Sequence, residues 1–250
     1  MFHKLMWITA FCLVMPAFCQ VSEREAAIGR YSAADLERSA KVVADPAANA
    51  YVSRLTSLLA PYCGWHSPVT VKLLQSDQAS GMSLPGGHVY LTTGVLARTE
   101  TEAELAAVIA HQLGHLIETH EQMGTGGARV IYLGSMGQCL RWARNIPIPL
   151  GWMPQARLIE QRADLRALGA LMGAGYDPRA FPEFFSRFIA ATPNLGEVLP
   201  ASHLETLRVQ AERALLQRDP IVTTAEFVDV RNRLVPPKPL PRPPSLRAGR

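Results

Sequence analysis

Residues 106–120 read AAVIAHQLGHLIETH, and how this stretch is read decides the fold. It is apolar with helical spacing and contains no proline. Just ahead of it, Thr101-Glu102-Ala103-Glu104 has the Thr-x-x-Glu form of a capping box, so a helix opens here and runs through the histidines. His111 and His115 are four residues apart, which places them about 40° apart on one helix face and one turn from each other. Both imidazoles can then reach a single ion. The spacing alone is a weak signal, and a histidine pair in the core or on the helix surface is the competing reading.

A three-ligand site needs another donor. Downstream, IEQRADLRALGALM has helical periodicity and ends at Gly173 to Gly175, a glycine stop. Glu160 sits near its start and Asp164 one turn later. That spacing suits a division of labour in which Glu160 binds the metal and Asp164 accepts the free ring N–H of a liganding histidine. The same residues, alternating with Arg162 and Arg166, also fit an exposed charged face.

Further out, residues 20 to 62 read as helical, with Ser32 and Asp35, then Asp45-Pro46, as start signals. VTVKLLQ from Val69 reads as a strand. GMSLPGGHVYLTTGVL follows, with Pro-Gly-Gly turning into the alternating strand HVYLTT. Asp177-Pro178 caps a helix through PEFFSRF, SHLETLRVQAERALLQ is helical, and a last short element begins at Thr223 to Glu226. Residues 122–159 hold four arginines and no acid. They read as a helix pair packed into the core or as a basic-apolar lid that touches clients or an anionic membrane surface. From Val235 the chain is a Pro-rich extension, predicted disordered, that also has the composition of a polyproline ligand.

The 250 residues suffice for one domain with a sizeable core. The formal charge of +4 is misleading, because residues 231–250 carry six basic residues and no acid, leaving the other 230 residues at −2. No basic face remains to propose for nucleic acid. The start, MFHKLMWITAFCLVMPAFCQ, reads as an export signal: Lys4, an apolar run from Leu5 to Phe18, and a cut after Cys19. Phe18 is bulky where lipid attachment to Cys19 wants a small residue. Cys63 and Cys139 are left, as a disulfide or as separate buried thiols. The expected organisation is a signal over 1–19, a domain over 20–234 and a tail over 235–250.

HQLGH followed by EQRAD resembles the HExxH…ExxAD pattern of the gluzincin zinc metallopeptidases of CAAX prenyl protease/HtpX type, above all their soluble, exported bacterial branch. The likeness runs from about Glu23 to Leu234 and includes SLPGGHVYLTTGVL, the trailing His120, and Ser202-His203. It implies an α+β, mainly helical zincin-like fold with a small sheet whose edge strand borders the cleft. It implies one zinc per chain, held by His111, His115 and Glu160, with Asp164 behind a liganding histidine. His203 becomes a candidate transition-state stabiliser, and His120, on the far side of the helix from His111, a structural residue. HVYLTT is read as the edge strand, so His88, Val89, Tyr90 and Leu91 are the expected peptide-binding residues.

The chain departs from the pattern at three places. Leu204 follows His203 where proline is expected, Met153-Pro154-Gln155 stands where Tyr-Ser-Arg is common, and Gln112 takes the place of the catalytic glutamate. In the family's reaction that glutamate takes a proton from water and returns it to the leaving nitrogen. A carboxamide cannot, and general acid–base catalysis contributes about 10²–10⁴-fold. Glu118 lies roughly 10 Å along the axis from His111, too far to substitute directly. The expectation is a periplasmic or extracellular protein that keeps zinc, has strongly impaired proteolysis, and binds peptides or unfolded envelope proteins. The alternative is a working zinc metalloendopeptidase in envelope protein quality control.

Overall fold

The computed structural model describes residues 21–124, 153–191, 200–215 and 219–235, without the side chains of 153–156. The segment expected to be an export signal, most of the acid-free segment, Cys139 and nearly all of the Pro-rich tail lie outside these residues. Eight helices and three strands follow in the order α1 (Glu23–Ser39), α2 (Pro46–Cys63), β1 (Thr70–Leu74), β2 (Gly81–Leu84), β3 (His88–Thr92), α3 (Thr93–Arg98), α4 (Glu102–Gly124), α5 (Met153–Ala174), α6 (Ala180–Ala190), α7 (Ala201–Leu215) and α8 (Ala225–Leu234). The fold is α+β and mainly helical, as the sequence implies.

α4 is the centre of the molecule. Every residue from Glu102 to Thr119 is buried, and α2, α5, α6 and β2 all pack on it. A helix surrounded on every side needs apolar or small residues on every side, which AAVIAHQLGHLI supplies. Its first turn is tied down by polar contacts. Thr101 Oγ1 accepts from the Glu104 N–H at 3.3 Å, while the Glu104 carboxylate accepts from the Glu100 N–H, a capping box displaced by one residue. Buried Glu102 accepts from Tyr51 at 3.0 Å, from Tyr176 at 2.6 Å and from Thr224. This carboxylate thereby joins α2, the α5–α6 turn and the start of α8 to the start of α4.

The sheet has the order β1-β3-β2, with β1 parallel and β2 antiparallel to β3. The pleat divides its two faces cleanly. Val71, Leu73, Val89 and Leu91 join the main core with α2 and α4. Leu74, Leu84 and Tyr90 face the other way, onto Ala33 and Leu36 of α1. On that side Glu37 accepts from Tyr90 at 2.6 Å and from Lys72 at 2.7 Å.

This topology corrects the assignment of HVYLTT as the edge strand. β3 is the central strand, with hydrogen-bonded neighbours on both sides, so it has no backbone edge left for a peptide. Val89, Tyr90 and Leu91 are buried in the two cores, and half-buried His88 packs beside Gly29 of α1. The edge next to α4 belongs to β2. The Thr92 N–H donates to Ser80 O at 3.0 Å, so Ser80 and Thr92 form a hydrogen-bonded pair. Antiparallel alternation then turns the N–H and C=O groups of Gly81 and Ser83 away from β3.

α1 also departs from expectation. It starts at Ser22, whose hydroxyl accepts from the Glu25 N–H, and runs unbroken through Ser32 and Asp35 to Ser39. Asp45 caps α2 as read, accepting from Ala48 N–H with Pro46 in the first turn. α5 begins earlier than the periodicity of IEQRAD showed and stops, as read, before Gly175.

Candidate metal centre

α4 and α5 lie against each other with almost no space at the crossing. A Cβ at Gly114 would come within 2.7 Å of the Ala163 backbone, closer than any side chain tolerates. Gly114 therefore serves the crossing. With the helices this close, Glu160 and Asp164, one turn apart on α5, both reach the histidines of α4.

The three predicted ligands converge. His111 Nε2 and His115 Nε2 are 3.0 Å apart, and Glu160 Oε2 is 3.2 Å from His115 Nε2 and 3.5 Å from His111 Nε2. A tetrahedral zinc with bonds of about 2.0–2.2 Å sets its donors about 3.3–3.6 Å apart. The three separations lie at or a few tenths of an ångström below that edge length, so a small outward shift of the side chains would admit the ion. All three residues are buried. Two imidazoles and one carboxylate are also the donor chemistry zinc takes in sites that keep a position open. The residues fit the ion.

Asp164 stands beside the His111 ring, where it could support a liganding histidine. Its Oδ1 lies 2.9 Å from His111 Nδ1, so the ring donates there and keeps its Nε2 lone pair for the metal. Burial works against a charged His111, but the Asp164 hydrogen bond and the charges of Asp164 and Glu160 outweigh it and hold the ring's pKa above the ordinary value. Asp164 Oδ2 is also engaged, 2.9 Å from His203 Nε2. His203, in the first turn of α7, therefore stands behind His111 through a shared carboxylate. Leu204 beside it is part of the core.

Gln112 is wholly buried, and neither Oε1 nor Nε2 has a hydrogen-bond partner. Its carboxamide lies against β2: a Cβ on Gly81 would meet Gln112 Cδ at 2.9 Å and Nε2 at 3.0 Å. Ser83, two residues along the strand and on the same face, has a buried hydroxyl that also lacks a partner. Leaving one buried polar group unsatisfied costs about 1–3 kcal/mol.

The other carboxylates of this region are committed elsewhere. Glu118 faces Arg162 at 3.3 Å and Arg166 at 3.5 Å. His120 is on the far side of α4, with Nδ1 2.7 Å from Glu25 Oε2 and its ring edge-on to Trp65, a structural bond between α1 and α4. Cys63 is a buried thiol directed at Ala110 O.

Sequence reasoning missed several supports. Phe185 and Phe181 of α6 pack on the His111 ring with centroids 5.0 and 6.1 Å away. They read simply as apolar residues of PEFFSRF. Glu25 carried no signal at all, although its other oxygen accepts from the Gly86 N–H in the Pro-Gly-Gly turn.

Comparison with known proteins agrees with this geometry. The family model "Peptidase family M48" matches residues 46–215. The chain is 25% identical over 240 residues to a "Beta-barrel assembly-enhancing protease" of Yersinia pestis, covering 85% of this chain and 49% of that protein. It is 24% identical over 228 residues to the protein of the same name from Escherichia coli K12, covering 81% and 46%. A "Mitochondrial metalloendopeptidase OMA1" of Schizosaccharomyces pombe is 26% identical over 159 residues, covering 60% and 46%. The chain thus spans about half the length of these curated relatives. With the family model covering two thirds of the sequence, the chain belongs to peptidase family M48.

Proposed function

We propose that this protein is an exported, zinc-holding member of its family that binds extended peptides or unfolded envelope proteins along β2, with peptide-bond hydrolysis strongly impaired. The observation that carries the reading is the contrast inside one helix turn. His111 and His115 are oriented and matched by Glu160 and Asp164, while Gln112 between them offers only a neutral carboxamide. Zinc in such a site polarises a carbonyl and acidifies water. The protein must still carry a proton from water to the leaving nitrogen, and a carboxamide neither accepts nor returns one at neutral pH. The loss expected is about 10²–10⁴-fold.

Among the described residues β2 has a strand neighbour on one side only, which supports the binding half of the reading. The N–H and C=O groups of Gly81 and Ser83 turn away from β3 and, once uncovered from their buried position, could pair with an added strand beside Gln112. Placement in the cell envelope rests on the N-terminal signal and on the bacterial relatives, whose names refer to β-barrel assembly. No helix of the described residues is long and apolar enough to cross a membrane.

A second reading, a working endopeptidase, draws on His203, whose imidazole stands 2.9 Å from Asp164. One experiment separates the two. Casein and peptide cleavage is measured with purified, zinc-quantified protein beside Gln112→Glu and His111→Ala. The binding reading expects about one zinc and no cleavage in the natural protein, cleavage after Gln112→Glu, and loss of metal in His111→Ala. Zinc-dependent cleavage by the natural protein that His111→Ala abolishes would overturn it and turn attention to His203.

A further inference from the structure

A hydrogen bond at one ring nitrogen does not by itself fix an imidazole. The contact between His111 Nδ1 and Asp164 tolerates a range of ring angles, and the χ2 torsion of a histidine is broad. Packing against the body of the ring narrows it, and α6 supplies that packing with two side chains one turn apart. Phe185 has its ring centroid 5.0 Å from that of His111, with the planes inclined by 53°. Phe181 lies at 6.1 Å and 52°. The two phenylalanines stack on each other at 4.4 Å, and Phe184 meets Phe185 edge-on at 5.4 Å. All three are at most 2% exposed, so none can turn aside into solvent.

This aromatic wall is tied to the same helix whose histidine it touches. Arg187 of α6 donates to the buried carboxylate of Glu104 at 2.7 Å. Glu104 and His111 are seven residues apart on α4, hence on one face and about 10 Å apart along the axis. α6 therefore meets that face at two levels, held by an ion pair at one and laid against the imidazole at the other. When an imidazole binds zinc it takes up part of the ion's charge, and an aromatic ring within about 6 Å is in range to attract that charge. An apolar wall also keeps water from competing for the ring N–H that Asp164 accepts.

We propose that Phe185, backed by Phe181, is a positioning residue of the metal centre: it holds the His111 imidazole at the angle that directs Nε2 to the ion. Zinc affinity then depends on an aromatic ring that does not touch the metal. This rests on the reading of a zinc-holding site and names what sets its affinity.

The test compares the full natural chain with Phe185→Leu and Phe188→Leu. Both variants exchange a buried phenylalanine of α6 for leucine, but Phe188 stacks on Phe184. Zinc affinity is measured by chelator competition, the visible spectrum after cobalt(II) substitution reports ligand geometry, and urea unfolding of the metal-free protein reports packing. Phe185→Leu is expected to weaken zinc binding by about three- to tenfold and to alter the cobalt spectrum. Phe188→Leu is expected to lower the urea midpoint comparably while leaving zinc affinity and the cobalt spectrum as in the natural protein. If Phe185→Leu does not fold, Phe181→Leu, which removes the more distant ring, carries the test with an expected loss of about two- to threefold.

Unchanged affinity and spectrum in the folded Phe185 or Phe181 variant overturn the proposal and leave the zinc-holding reading standing. Equal losses of affinity in that variant and in Phe188→Leu overturn it too, since general packing then accounts for both. If the natural protein holds no zinc, the zinc-holding reading fails, and the proposal with it.

Discussion

Two neighbouring regions of the same helix are built to different standards. In the His–His–Glu corner the side chains are tied to one another: His111 is oriented by Asp164, Asp164 is matched on its other oxygen by His203, and Glu160 closes on both histidine Nε2 atoms. One residue along, at the face of α4 turned to β2, Gln112 and Ser83 are buried with polar atoms that nothing in the described residues satisfies. Protein interiors seldom leave such groups unpaired. The difference teaches that holding the ion and transferring a proton are separable demands. The first is met by the protein's own packing. The second, on the reading proposed above, depends on the side chain at position 112, which here is a neutral carboxamide.

The contrast is broken most severely by removing a ligand. Glu160→Gln should lower zinc content from about one per chain to near zero, because a neutral amide is a poor zinc donor. Metal analysis after dialysis checks this, and retention of full zinc would show that the observed cluster is not the site. A smaller effect is expected behind the ligands. Asp164→Asn leaves His111 without its anionic acceptor and should weaken zinc affinity by about 10–100-fold. It should also release His203, and chelator competition measures the first effect. Sharpening the other side of the comparison, Gly81→Ala drives a methyl into the Gln112 carboxamide. Overpacking of this kind costs about 1–3 kcal/mol, read as a lowered urea midpoint, while zinc content should stay unchanged because no ligand is touched.

The smallest effect lies on the far face of the sheet and serves as a remote control. Burial raises the Glu37 carboxyl, but hydrogen bonds from Lys72 and Tyr90 and the charge of Lys72 outweigh it, so its pKa lies below the ordinary value. A depressed carboxyl contributes stability above its unfolded pKa, about 4.3, and loses it as pH falls through the folded value. The stability gap between the natural protein and Glu37→Gln should therefore be full at pH 6 and shrink below about pH 4. Thermal unfolding across this range checks it, with the metal centre playing no part.

Much of this was legible because it is local. The i,i+4 spacing of His111 and His115 is set by the helix itself, and so is the one-turn separation that lets Glu160 and Asp164 divide their roles. Asp45, capping α2, depends on a hydrogen bond three residues away. Ser32 misled for the same reason: its residue type permits a helix start, yet Ala33 and Leu36 pack on the sheet and carry α1 straight past it. The identity of the edge strand was not legible. Both GMSL and HVYLT alternate acceptably, and alternation reports which side chains point inward, not which backbone has a second neighbour. That depends on β1 returning beside β3 rather than β2.

By itself, then, the sequence determined that His111 and His115 share one helix face, the helical frame that carries them, and the absence of a carboxylate at position 112, since each follows from residue type and helical period. Only the tertiary structure decided that the Gly114–Ala163 crossing brings Glu160 within 3.5 Å of both histidines, that His203 meets Asp164 rather than standing alone, and that β2 is the strand beside Gln112. Those relations join residues up to 49 positions apart in the chain, and no period along a sequence encodes a distance that packing alone sets.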